Sequence, residues 1–181
     1  SAKVQYNDFY NHHSVPAPPF TEKLSLVYVG RGLSNRLLEA LDGPPEEIGA
    51  ELFIYPLGMP LPENLSGSFW NFGPQDYEFH LLDLMQSRPC LMWCCHDNNC
   101  LSYNYAITNK FFQALAFGVP VIVYKGTYLA KVVSDHGLGL ICSGNMEFED
   151  LLERIDEDIF KKWQDNIVLF REEIRSGEVR V

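Results

Sequence analysis

The chain has 181 residues, of which 46% are hydrophobic and 21% are charged, and its formal net charge is −10. This length and composition are typical of a globular domain that buries enough apolar surface to fold without disulfides or metals. The negative charge argues against nucleic-acid binding, which needs a basic face, and no apolar run approaches the roughly 18 residues of a membrane span.

The first 23 residues show no hydrophobic period and contain Pro16, Pro18 and Pro19. This composition is typical of an extended linker or arm rather than a helix or strand. The chain opens with Ser-Ala and no initiator Met, which we expect of a tag remnant ahead of an excised piece. We recognise no signal peptide in it.

The first predicted strand, Leu24–Val29, ends in the turn Gly30-Arg31-Gly32, and a helix is predicted over Ser34–Leu41. A glycine-rich turn between a strand and a helix is where α/β sheets receive phosphate groups. This turn is therefore a candidate binding site. The elements predicted next are the strand Glu51–Tyr55, the strand Ser68–Phe72 with the turn Gly73-Pro74 after it, and the helix Tyr77–Met85.

The strand Cys90–Cys95 leads into a polar loop, and loops at the carboxyl ends of strands often carry function. The residues Cys94–Cys100 include enough soft ligands for zinc, but their spacing matches no C-x-x-C pair. We therefore prefer a loop that contacts a ligand through its polar groups. The cysteine total of five is odd, which fits reduced thiols in a cytosolic protein better than disulfides.

The next stretch, Ala106–Val123, predicts a helix followed by a buried strand. Thr108 or Asn109 can cap the helix with an oxygen-bearing side chain, and Gly118 lies where a left-handed residue ends a helix. The free N–H groups and the positive dipole end of this helix, together with the Lys110 ammonium, predict a phosphate site.

Strands and helices alternate along the chain, which is the pattern of a doubly wound parallel sheet. We predict a three-layer α/β Rossmann-like domain with about six parallel strands over residues 24–181, preceded by the arm 1–23. Right-handed crossovers would bring the turns at Gly30, Gly73, Asp97 and Thr108 to one rim. The remaining predicted elements are the strands Val119–Val123 and Leu138–Cys142 and the helices Leu129–Ser134, Met146–Ile155 and Ile159–Ile174.

Residues 109–122 read Asn-Lys-Phe-Phe-Gln-Ala-Leu-Ala-Phe-Gly-Val-Pro-Val-Ile. This segment resembles the donor-site helix of GT-B glycosyltransferases of the group 1 type, whose pattern is roughly Asn-Lys-(Leu/Phe)-Phe-Glu-(Tyr/Ala)-Leu-Ala-x-Gly-x-Pro-Val-Ile. The family usually has Glu at the position of Gln113, and that carboxylate holds the ribose hydroxyls of the donor. Gln113 can still form hydrogen bonds, but it loses the charge-assisted bond, which is about twice as strong.

The resemblance implies that this chain is the C-terminal, donor-binding half of a GT-B fold. It implies that Lys110 and the Asn109 amide contact the donor phosphates and that Gln113 lies near the ribose. Gly30-Arg31 and the turn at Gly73 resemble family turns that lie close to the donor. The predicted donor-binding residues are thus Gly30, Arg31, Gly73, Asn109, Lys110 and Gln113.

The implied enzyme transfers a sugar from a nucleotide-diphosphate sugar to a glycan or lipid-linked acceptor, most commonly in surface polysaccharide biosynthesis. The resemblance implies no metal and no cofactor. It also implies an N-terminal domain, missing here, that usually supplies the general base, so we expect this piece to bind donor without turnover. We expect no nucleic-acid partner and a cytoplasmic location, with peripheral membrane association of the full-length enzyme as an alternative.

Two other functions stay open. One is a sugar-nucleotide epimerase of the same fold, which needs acidic and histidine residues around the donor that the sequence does not place. The other is a non-enzymatic α/β interaction module, in which Gln113 would mark a decayed nucleotide site.

Overall fold

The computed structural model describes residues 24–30, 50–56, 69–71, 83–84, 87–95, 104–143 and 146–178. These residues contain a six-stranded sheet and the helices that pack against it. The strands are β1 (Leu24–Gly30), β2 (Ala50–Pro56), β3 (Phe69–Asn71), β4 (Cys90–Trp93), β5 (Val121–Tyr124) and β6 (Gly139–Cys142). The helices are α1 (Asn109–Phe117), α2 (Tyr128–His136), α3 (Met146–Glu153) and α4 (Glu157–Ser176).

The strand order is β3-β2-β1-β4-β5-β6, and every neighbouring pair is parallel. The strands β1, β2 and β3 therefore follow one another toward one edge of the sheet, and β4, β5 and β6 follow one another toward the opposite edge. In open α/β sheets, ligands bind in a crevice at the carboxyl ends of the strands where this direction reverses, which predicts a β1–β4 crevice in this sheet. The prediction of a Rossmann-like parallel sheet of about six strands is confirmed.

Both faces of the sheet are covered, which explains why its central strands are apolar without alternation. One face carries a cluster with Val27, Met92 and Phe111, against which α1, α2 and the second half of α4 pack. The other face carries Leu26, Trp93 and Phe160, with contributions from α3 and the first part of α4. The long helix α4 thus contributes to both faces, and the described part of the fold has the predicted helix–sheet–helix layers.

The observed bounds of the second half differ from the predicted bounds by a few residues, for reasons of hydrogen bonding. β5 begins at Val121 rather than Val119, because the Val119 N–H donates back to the Ala114 carbonyl at 2.9 Å and Pro120 has no N–H. α4 begins two residues early, because Asp156 caps it and accepts from the Ile159 N–H at 2.8 Å.

Several predictions lie outside the described residues. These are the arm 1–23, the helix Ser34–Leu41 and the turn at Gly73, with most of the helix Tyr77–Met85. They stay predictions. Over the described parts of the chain, no helix combines the length and apolar character that crossing a membrane would require.

Gly139 provides a test of the sheet geometry. Its φ is +154°, and a Cβ built on it would lie 2.0 Å from the Val121 carbonyl oxygen of the neighbouring strand. We expect Gly139→Ala to lower the free energy of unfolding by more than about 3 kcal/mol, because the β5–β6 pairing must move apart. Urea unfolding monitored by circular dichroism measures this loss.

The matched control is Gly118→Ala, at the end of α1. Gly118 is also left-handed, with φ +70°, but no atom lies within 4 Å of its built Cβ. Its substitution should cost only the conformational penalty of about 1–2 kcal/mol. Equal losses for the two variants would contradict the crowding at Gly139.

Candidate functional site

The candidate site lies at the carboxyl edge of the sheet, where β1 ends and α1 begins. β1 pairs with β4 so that Val27 lies opposite Met92, and continuing this register puts Gly30 level with Cys95. A Cβ built on Gly30 would lie 3.0 Å from Lys110 Cε and 3.2 Å from Lys110 Nζ. The structure therefore brings Gly30, at the end of β1, together with the Lys110 side chain of α1.

The start of α1 is organised by Thr108. Its backbone is extended, with φ −86° and ψ 153°, and its Oγ1 accepts from the Phe111 N–H at 3.3 Å. Thr108, rather than Asn109, is therefore the N-cap. The N–H groups of Asn109 and Lys110 belong to the first turn, whose donors have no partner within the helix. The first turn carries no acidic residue, so the positive end of the helix dipole is not offset from within α1.

The Lys110 side chain crosses the edge of the sheet. It begins on α1, which packs on one face, and its ammonium lies 4.2 Å from the ring centroid of Tyr28, which belongs to the cluster on the other face. Lys110 is half-buried. Burial lowers the pKa of its ammonium below the ordinary value, although the neighbouring Cys94 and Cys95 raise it.

The thiols beneath Lys110 do not act as counter-ions at neutral pH. Burial raises the pKa of Cys94 to about 12, against the opposing effects of Lys110 and of a hydrogen bond to Thr108. Burial also raises the pKa of Cys95 well above its ordinary value. Both thiols are therefore neutral at pH 7. Among the residues that the structure describes, no carboxylate lies within ion-pair distance of Lys110.

The other predicted site residues are only partly covered by the structure. Asn109 is exposed at the first position of α1. Gln113 is half-buried, and it lies three residues after Lys110 and four after Asn109, so its side chain neighbours each of theirs on the helix surface. Arg31 and Gly73 lie outside the described residues, as does most of the polar loop after Cys95.

Tyr28 and Cys94 are site residues that sequence reasoning missed. A signal for Tyr28 existed, because it precedes Gly30 by two positions and therefore shares its side of the strand. For Cys94 the signal was its position at the carboxyl end of β4, next to the switch of strand order. Neither signal shows which side chain Lys110 would contact.

In the described part of the chain, no group of three or more metal-ligating side chains occurs, and His96, Asp97 and Cys100 of the zinc alternative lie outside it. The four described cysteines are free and buried, as expected of reduced thiols. The sequence contains one Asp-x-Asp triplet, Asp156-Glu157-Asp158, whose carboxylates are of the type that binds metal ions. Asp156 in this triplet has a structural role as the N-cap of α4.

The chain is similar to a known protein family and to several solved structures. The family model for the glucosyltransferase 3-like C-terminal domain matches residues 90–179, which is 90 of the 181 residues and runs from β4 to the end of α4. The crystal structure of WaaG, a glycosyltransferase involved in lipopolysaccharide biosynthesis, is similar with a TM-score of 0.57 at 16% identity, over 89% of this chain and 45% of that one. The described fold is that of a GT-B glycosyltransferase C-terminal domain.

Two further solved structures have a similar fold. TarM is similar with a TM-score of 0.52 at 15% identity, over 87% of this chain and 34% of that one. The glycosyltransferase SnogD from Streptomyces nogalater is similar with a TM-score of 0.51 at 16% identity, over 90% and 42% respectively. The chain thus spans less than half the length of each of these three proteins. A search of curated proteins finds no match.

The lowered pKa of Lys110 predicts how its replacement affects the stability of the domain. Because burial lowers its pKa, the folded protein disfavours the ammonium that the unfolded chain carries freely. We expect Lys110→Met to raise the stability of the ligand-free domain by about 0.5–1 kcal/mol, or roughly 1–4 °C in Tm. The gain should shrink as the pH rises from 7 toward the ordinary lysine pKa, since the folded wild type then releases its proton first.

The matched control is Lys162→Met, which removes an exposed lysine of α4. It therefore has the same net charge as Lys110→Met. Differential scanning fluorimetry between pH 7 and pH 10 compares the two variants with the wild type. A loss of stability in Lys110→Met that exceeds the change in Lys162→Met would contradict the desolvation of Lys110.

Proposed function

We propose that this domain binds the nucleotide-diphosphate sugar of a glycosyltransferase and that its ligand lies across the β1–β4 crevice. The observation that carries the proposal is the Lys110 ammonium, half-buried beside Gly30 at the start of α1 and without a carboxylate partner among the described residues. A desolvated cation next to a helix N-terminus is suited to a diphosphate, whose negative charge stabilises the ammonium form.

In this proposal, each predicted donor-binding residue contacts or makes room for one part of the ligand site. The Lys110 ammonium and the N–H groups of the first turn of α1, including that of Asn109, bind the phosphate oxygens. Gly30 leaves the space that Lys110 occupies. Gln113 contacts the ribose, because it lies one turn further along the same helix surface. Arg31 and Gly73 would complete the phosphate side of the crevice.

The same contacts would act in catalysis. Transfer of the sugar breaks its bond to the diphosphate, and the leaving diphosphate gains negative charge as that bond breaks. A fixed cation and oriented N–H groups stabilise this growing charge more in the transition state than in the bound donor, so they accelerate the reaction. No metal ion is required for this role.

The acceptor and the general base come, in this proposal, from a second domain. The chain covers at most 45% of the three similar glycosyltransferases, and the family resemblance implies an N-terminal domain that usually supplies the general base. A glycan or lipid-linked acceptor of surface polysaccharide biosynthesis is the proposed context. This context is supported by the family resemblance and by the similarity to WaaG, a glycosyltransferase involved in lipopolysaccharide biosynthesis.

Nucleotide binding tests the proposal directly. Calorimetry and thermal shift on the 181-residue chain with UDP, GDP, CDP, ADP and TDP should show binding of one or two of them. Nucleotide at ten times its Kd should stabilise the domain by about 1.4 kcal/mol, or roughly 3–6 °C. Lys110→Met should weaken that binding about 10- to 100-fold, since hydrogen bonds to charged groups contribute roughly 1.5–3 kcal/mol.

Lys162→Met is again the control, because it changes the net charge equally and lies on α4. Its affinity should stay within about twofold of the wild type. Equal weakening by both variants would assign the effect to general electrostatics. Absence of binding for every nucleotide at millimolar concentration would overturn the proposal for this chain and support the non-enzymatic module.

The ribose contact has its own test in Gln113→Glu. A carboxylate accepts charge-assisted hydrogen bonds from the ribose hydroxyls, which are about twice as strong as those accepted by an amide. We expect Gln113→Glu to tighten nucleoside diphosphate binding about threefold or more and to leave inorganic pyrophosphate binding unimproved. A competition titration with pyrophosphate measures the two affinities separately, that for the nucleoside diphosphate and that for pyrophosphate. Equal changes for both ligands would place Gln113 away from the ribose.

A further inference from the structure

We propose that Tyr28 is a positioning residue for the donor diphosphate, with its ring forming a platform that holds the Lys110 ammonium at the β1–β4 crevice. This inference rests on the proposed function. It adds to that function a residue outside the donor-site helix and an explanation of how a long, flexible lysine is held in place before the ligand arrives.

The contact itself is well defined. Lys110 Nζ lies 4.2 Å from the Tyr28 ring centroid, inside the roughly 6 Å range in which an ammonium is attracted to the negative face of an aromatic ring. Tyr28 is only 3% exposed, so its ring is fixed by the surrounding core. A fixed ring gives the lysine a defined end point across the edge of the sheet.

Gly30 confines the lysine from a second direction. A Cβ built on Gly30 would lie 3.0 Å from Lys110 Cε and 3.1 Å from Tyr28 Oη, closer than nearly all real contacts of this kind. The space beside the end of β1 is therefore filled by the Lys110 side chain and the Tyr28 hydroxyl together. Any side chain at position 30 would have to displace one of these two groups.

An aromatic platform suits a cation that must later bind an anion. A carboxylate partner would hold the ammonium by direct charge pairing, and the incoming phosphate would have to replace it. The ring attracts the ammonium through its quadrupole and leaves the remaining N–H donors of Lys110 available. The neighbouring thiols are neutral, since burial raises the pKa of Cys94 to about 12, so they do not compete with the phosphate as anions. Holding the lysine in advance reduces the entropy lost on binding.

The test is a double-mutant cycle between positions 28 and 110, read out as the Kd of the nucleoside diphosphate that the wild type binds. Tyr28→Phe keeps the ring and should change the Kd less than about threefold. Tyr28→Leu removes the ring and should weaken binding about 5- to 20-fold. In the Lys110→Met background, Tyr28→Leu should have little further effect, because the group that the ring positions is already absent.

A purely structural role for Tyr28 gives a different result. If Tyr28→Leu weakens binding equally with Lys110 and with Met at position 110, or if Tyr28→Phe is as harmful as Tyr28→Leu, the positioning role is overturned. If Tyr28→Leu does not fold, Gly30→Ala replaces it in the cycle, since it displaces Lys110 from the ring side. It should then show the same loss of affinity and the same dependence on Lys110.

A ligand-free measurement separates this inference from the proposed function. The Lys110 ε-methylene protons should show an upfield ring-current shift in the NMR spectrum of the wild type, retained in Tyr28→Phe. The absence of this shift would overturn the platform whatever the binding data show. A wild type that shows the shift and binds no nucleotide would overturn the proposed function, and with it the role of Tyr28 in diphosphate binding.

Discussion

The structure depends on one constraint, which is that all six strands of the sheet run parallel. Parallel neighbours need crossovers that run over the faces of the sheet, so both faces are covered and the central strands are largely apolar. The carboxyl ends of the strands then share one edge. Because the strand order reverses between β1 and β4, the general rule for open α/β sheets predicts a ligand crevice at the carboxyl ends of these two strands. Gly30 and the Lys110 side chain lie together at the end of β1.

The chemistry of the site follows from that position. An ammonium at the edge of a covered sheet is half removed from water, and its pKa falls for that reason. Thr108 satisfies one N–H of α1 and leaves the first turn facing the same space. The result is a positive site without a negative group of its own among the described residues. Such an arrangement costs stability in the free protein and recovers it when an anion binds, which is common at binding sites.

The comparisons and the geometry support each other at different levels. Structural similarity at 15–16% identity establishes the fold of a GT-B C-terminal domain and nothing finer. The family model reaches from β4 to the end of α4 and thus includes α1 with Lys110, whereas Tyr28 and Gly30 lie before it. The candidate site therefore combines a segment inside the matched family model with a strand outside it. Gln113 is the position where this chain differs from the donor-site helix that its sequence resembles.

The sequence by itself determined the fold class, the order of most elements and the helix that carries Lys110. These features are local, since apolar runs, capping residues and glycine stops are encoded within a few residues of where they act. Thr108 and Asn109 were equally good caps in the sequence, and only backbone geometry chose Thr108. The tertiary structure alone decided that Lys110 reaches Tyr28, a residue 82 positions earlier in the chain. Such a contact arises when the β1–β4 pairing brings two strand ends together, and no periodicity along the chain records it.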